Sequence, residues 1–201
     1  MKKGLLIALG VLALVVIIVI SIVGWGVKKY NGFVALNEGV NQGWSQVENV
    51  YQRRADLIPN LVATVKGVAN FEKETYTAVT EARAKVGQVK LSPEQLSDPQ
   101  AFQNFQKAQD GLSGALSRLL VVSENYPQLK ANENFLNLQA QLEGTENRIT
   151  VERQKFNKVV QEYNTAIKVF PAAMIANFSG FKEKQYFKAQ EGAEQVPKVQ
   201  F

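Results

Sequence analysis

Glu146, Arg153, Asn157 and Asn164 stand seven, four and seven positions apart, within a stretch that also carries Phe135, Leu142, Ile149, Phe156 and Tyr163 at helical spacing. On a helix that spacing gathers the four polar residues on one face. A second polar group, Arg53, Arg54, Asp56 and Asn60, surrounds Pro59. Two chemistries are open to such groups. One is a polar site between helices that binds a peptide or a ligand. The other is a buried hydrogen-bonded network that fixes helix register, in which Asn60 and its neighbours satisfy the carbonyl that Pro59 frees. The network reading takes precedence, because structural ion pairs commonly imitate sites.

Catalysis has little to work with. The chain contains no cysteine and no histidine, which removes the thiolate nucleophile and the commonest general base and zinc ligand. Paired carboxylates alone suffice for glycoside hydrolysis, but that reaction needs two acids across a cleft. A narrow bundle with a repeating apolar seam offers none. No phosphate loop or dinucleotide glycine motif is present. The expectation is a protein without enzymatic activity, catalytic residues, cofactor or metal.

The elements that position these residues begin with an apolar run, Gly4 to Val27, between Lys2-Lys3 and Lys28-Lys29. Its 24 residues are interrupted only by Ser21 and four glycines, and about 20 apolar helical residues cross a bilayer core. A cleaved signal peptide has a shorter apolar core and ends at a small-residue site. This run ends instead with Trp25, and Tyr30 follows, both suited to an interface. Residues 1–29 are therefore expected to form a transmembrane anchor. Two lysines on either side leave the orientation tied. A short basic tail before an apolar run usually acts as a signal anchor, which places the remainder outside the cytoplasm.

Charge follows from the same partition. The chain is formally +5, with 23 basic and 18 acidic residues, but without the four flanking lysines the balance is 19 against 18. The basic face of a nucleic-acid binder is not expected.

Beyond residue 30 the apolar residues recur at steps of three and four, with no strand-like alternation. The stripe from Phe33 through Trp44, Tyr51, Ile58 and Val79 to Val86 keeps one phase across Pro59. One long helix, bent at Pro59, is predicted over that length. It is either continuous with the membrane helix or broken at Asn31-Gly32. A connector runs from Gln88 to Pro99, with Ser92 and Ser97 as helix caps. A second stripe carries Phe102, Phe105, Leu112, Leu116 and Leu119 and ends at Tyr126-Pro127. A third begins near Pro127 or at Asn132 as cap and ends at Phe170-Pro171. Ala172 to Ala189 reads as a shorter amphipathic helix. Its aromatic and lysine-bearing part could lie on a membrane, but is expected to cap the bundle.

Gly39 and Gly43, four apart inside the first stripe, would let a second helix approach closely. They are candidates for self-association, with contact with the tail of the same chain, or a locally loose helix, as the alternative.

Longer strings resemble the LemA family. They include Trp44-Ser45-Gln46-Val47-Glu48, Arg53-Arg54-Ala55-Asp56-Leu57-Ile58-Pro59-Asn60-Leu61-Val62 and Thr80-Glu81-Ala82-Arg83-Ala84. Glu124-Asn125-Tyr126-Pro127-Gln128-Leu129-Lys130-Ala131-Asn132, Thr145-Glu146-Asn147-Arg148-Ile149 and Phe181-Lys182-Glu183-Lys184 continue the match. The resemblance implies a bacterial single-pass membrane protein with a four-helix soluble domain and no established enzymatic activity. It also implies a partner in envelope maintenance, such as an HtpX-like membrane metalloprotease or a TPM-domain protein.

The combined expectation is an all-α chain. A transmembrane helix over 1–29 precedes an antiparallel, left-handed four-helix bundle over 30–190, whose long first helix is kinked at Pro59. An extended or mobile tail occupies 191–201. The expected function is that of a non-enzymatic scaffold or homo-oligomer in the bacterial inner membrane. The alternative is an adaptor for a membrane partner.

Overall fold

A computed structural model describes residues 2–68 and 70–188. Helix α1, Lys2–Lys66, is unbroken for 65 residues, a rod of roughly 100 Å. Its apolar part projects bare: the aliphatic side chains from Leu5 to Val23 are exposed. In lipid a lone segment can satisfy its backbone only as a helix, so no tertiary partner is needed there. The helix passes Asn31-Gly32 without a break and continues through Pro59.

It does not continue to Val86, which corrects the expected single long helix. α1 stops at Lys66, Asn70 adopts a left-handed conformation with φ 62°, and α2 is Lys73–Gln88. The chain reverses there. The Trp44 indole donates to the Leu91 carbonyl at 3.2 Å and Arg83 donates to the Ala55 carbonyl at 2.9 Å, so α2 runs back along α1. Both helices turn their stripes to one core, so the reversal leaves the three-four phase intact. Its local signal was Gly67 and Asn70, residues suited to a helix C-terminus and a left-handed turn.

The connector forms a 3-10 turn, Pro93–Ser97, and α3 is Pro99–Ser123. The cap of α3 is Asp98 rather than Ser97. Its carboxylate accepts from the amides of Gln100 and Ala101 at 2.8 and 3.2 Å, with Pro99 supplying the first helical residue. A four-residue turn of helix, α4 (Pro127–Lys130), leads to α5, Glu133–Lys168. Asn132 caps α5 by accepting from the Phe135 amide at 3.1 Å. After the cis Phe170-Pro171 bond comes α6, Ala172–Phe178.

The helix expected to reach Ala189 therefore ends eleven positions early. Gly180, at φ 76°, turns the chain, and residues 181–188 are non-helical. The tail expected over 191–201 lies outside the described residues. Among the described residues there are six α-helices and no strand.

α1 packs chiefly on α5, and α2 on α3. The buried side chains fall into two apolar groups. The one nearer the apolar run centres on Trp44, whose ring lies within 5.2–6.2 Å of the rings of Phe102, Phe105, Phe156 and Phe187. The distal one gathers Ile58, Leu61, Leu112, Leu119 and Phe135. Between Tyr51 of the first and Ile58 of the second lies Arg54, with no exposed surface at all.

Candidate functional site

Arg54 occupies a position in the α1 stripe where the helix face points inward, so its guanidinium has no route to water. It is met by side chains of two other helices, α3 and α5. Nη1 donates to Glu146 Oε1 of α5 and to Ser113 Oγ of α3, both at 2.6 Å. Nη2 donates to the Gln109 side chain at 2.5 Å and to its carbonyl at 3.3 Å. The guanidinium also sits 5.3 Å from the centre of the Tyr51 ring. Nε has no partner among the described residues. A charge removed from water requires this density of partners, because desolvation costs several kcal/mol per ion. Glu146 keeps an edge in solvent, which lowers its own desolvation cost.

One helical turn along α1 toward the apolar run lies a second polar layer. Arg153 of α5 donates through Nε to the Tyr51 hydroxyl at 2.6 Å and through Nη2 to Asp110 at 3.1 Å. Its guanidinium stacks 4.9 Å from the Phe187 ring. Burial pushes the Tyr51 phenol above its ordinary range, against the pull of the Arg153 and Arg54 charges.

A third group lies along α5. The Asn164 carboxamide donates to the Lys184 carbonyl and accepts from the Lys184 amide, both at 2.9 Å. Asn157 does the same with Phe187, both at 2.9 Å. Seven helical residues rise about 10.5 Å, and three residues of nearly extended chain reach about 10 Å. The two carboxamides are thus in register with a segment running antiparallel to α5. Gln106 of α3 grips the next residue, donating to the Lys188 carbonyl at 2.8 Å. The Lys184 ammonium reaches the Pro93 carbonyl at 3.2 Å, and burial lowers its pKa, with Glu94 opposing.

Of the eight polar residues singled out by spacing, Arg54, Glu146, Arg153, Asn157 and Asn164 are drawn into these layers. Arg53, Asp56 and Asn60 are exposed and join none of them. Asp56 accepts from Gln52 on the same helix at 2.7 Å. The role expected of Asn60 belongs to Arg83, which donates to Ala55, the carbonyl that Pro59 leaves without a helical donor. Gly43 meets α5 of the same chain: a Cβ there would lie 3.1 Å from Val159 Cγ2. Gly39 has open space around it.

Spacing did not select Gln109, Ser113, Asp110 or Gln106. Gln109 carried a signal, since it continues the Phe102, Phe105, Leu112 stripe at steps of four and three. No cluster of three histidine, cysteine or acidic residues fit to hold a metal occurs among the described residues.

Residues 43–201 match the model of the LemA family. The magnetosome protein MamQ of Magnetospirillum gryphiswaldense is 29% identical over 199 residues, covering 91% of this chain and 71% of that protein. Magnetosome protein MamQ 2 of Paramagnetospirillum magneticum is 29% identical over 195 residues, 88% of this chain and 72% of its own. Protein LemA of Metamycoplasma hominis is 26% identical over 169 residues, 82% and 71% of the two chains. With most of its length matched by the family model, and α1, α3, α5 and the segment after α6 locked together through residues inside the match, the chain belongs to the LemA family.

Proposed function

We propose that this protein is a non-enzymatic, membrane-anchored helical scaffold of the bacterial inner membrane that works as a homo-oligomer. One observation carries the reading: a single unbroken helix supplies both the apolar run and the wall of the core that holds Trp44 and Arg54. Span and domain are thereby one lever, and an orientation set in the bilayer passes directly to the domain. The buried Arg54 and the half-buried Arg153 support the same reading, since their hydrogen-bonded donors are directed at groups of the same chain rather than into an opening. In this reading α1, α2, α3 and α5 make an antiparallel, left-handed four-helix bundle, bent at Pro59, on the extracytoplasmic side. The open surface at Gly39 is the contact between copies. Light scattering of the full-length protein in detergent is expected to give a mass of several chains, reduced by Gly39→Leu. A monomer at micromolar concentration overturns the scaffold reading. Proteolysis of the C-terminus in intact spheroplasts tests the side.

A second reading, an adaptor for a membrane partner such as an HtpX-like metalloprotease or a TPM-domain protein, draws on the carboxamide ladder. Asn157, Asn164 and Gln106 address backbone groups, a mode of recognition tolerant of side-chain sequence. Crosslinking in native membranes that captures only copies of this chain would dismiss it.

A further inference from the structure

The short helix α6 is amphipathic in an inverted sense. Its inner face, Ala172 and Ala176, is small and buried, while Met174 and Phe178 are 65% and 96% exposed. Phe170, one turn before Met174, is 79% exposed. Three large apolar side chains at four-residue spacing therefore point away from the protein. In water such a face is unfavourable, at about 25 cal/mol for each Å² of apolar surface, and it calls for an occupant.

The position of α6 names that occupant. Ile175 lies against Gly26, where a Cβ would stand 3.8 Å from Ile175 Cδ1. Gly26 is the penultimate residue of the apolar run. That run of 24 residues rises roughly 36 Å, more than the 30 Å of the hydrocarbon core, so its last residues reach the interfacial zone. The Tyr30 and Phe33 rings meet Phe181 at 5.7 and 5.5 Å, which fixes α6 beside α1 at this height. From Val169 to Gly180 no residue carries a charge, and Lys168, paired with Glu183 at 2.7 Å, and Lys182 bracket the stretch. Lysines flanking an apolar segment suit phospholipid headgroups.

We propose that α6 is a second membrane contact, with Phe170, Met174 and Phe178 inserted into the lipid interface of the leaflet that α1 leaves at Gly26. The domain then stands on the bilayer, held at two points, rather than above it on a stem. The inference rests on the reading of α1 as a transmembrane helix.

The absence of cysteine makes the test direct. Single variants Met174→Cys and Phe178→Cys of the full-length protein carry a nitroxide label in vesicles of phosphatidylethanolamine and phosphatidylglycerol. Val15→Cys in the span and Val121→Cys on α3 serve as references. Labels at 174 and 178 are expected to collide with oxygen several-fold more than with a water-soluble nickel chelate, as at 15 and opposite to 121. Water-like collision at 174 and 178, with lipid-like behaviour at 15, overturns the proposal and leaves the span intact. Water-like collision at 15 overturns the span reading itself. Protection from both reagents with spin–spin broadening shows a second copy on this face, and also overturns the proposal. Since all four side chains are exposed, loss of fold is not the expected result, and unchanged helical circular dichroism checks it.

Discussion

Arg83 Nε lies 2.9 Å from the carbonyl oxygen of Ala55, the group to which residue 59 would donate if it were not proline. The proline withholds a donor in mid-helix, and a side chain from the neighbouring helix restores it. The bond also ties α2 to α1 at the level of the Arg54 layer. Arg83→Met is therefore expected to lower stability by about 1 kcal/mol. In a Pro59→Ala background, where position 59 supplies its own amide, the same change should cost markedly less. Urea unfolding of the four detergent-solubilised variants measures the coupling, and equal costs in both backgrounds would remove this account of the pair.

The Arg54–Glu146 pair should behave as a buried charge with one wet partner. Glu146→Ala leaves the guanidinium with only neutral acceptors, and a loss on the order of 2 kcal/mol is expected, discounted for the solvent that reaches Glu146. Replacing both with Arg54→Met and Glu146→Leu should restore stability to within about 1 kcal/mol of the original. A double variant no more stable than Glu146→Ala would mean that the polar layer does more than neutralise itself.

The carboxamide ladder predicts a local effect. Asn157→Ala removes both bonds to Phe187, and Asn164→Ala both bonds to Lys184. Hydrogen exchange at the amide that loses its acceptor should accelerate about tenfold or more, with exchange along α3 unchanged. Uniform acceleration across the whole chain would instead point to global destabilisation.

Tyr51 provides a pH signature. Burial raises its folded pKa above the value of about 10 expected in the unfolded chain. Between those two values the native state binds more protons, so its stability falls as pH rises. The contribution is fully present below about pH 10 and lost as pH climbs through the folded pKa. Tyr163, also raised by burial, acts in the same sense, and Lys184, lowered by burial, acts against them. The urea midpoint should decline less steeply above pH 10 in Tyr51→Phe than in the unaltered protein. Parallel declines would show that Tyr51 keeps its proton no better folded than unfolded.

The residues alone determined the features that depend on near neighbours. An uncharged apolar run writes its own helix, a three-four spacing marks the buried face of α3 and α5, and Asn132 announces the start of α5 because a cap acts within three residues. Arg54, Glu146, Arg153, Asn157 and Asn164 stood out because polar groups on an apolar face require partners. Which partners they take was decided only by the tertiary structure. Gln109, Ser113 and Asp110 reach the arginines they bond from 43 to 59 positions away along the chain, a proximity that local periodicity does not encode. The reversal at Gly67–Asn70 was hidden for a related reason: a turn that returns both helices to one core preserves the phase. Residues 181–188 have aromatic and charged side chains that suit a helix. Their backbone groups instead take Asn157, Asn164 and Gln106 as partners, and those carboxamides become available only once α3 and α5 have packed.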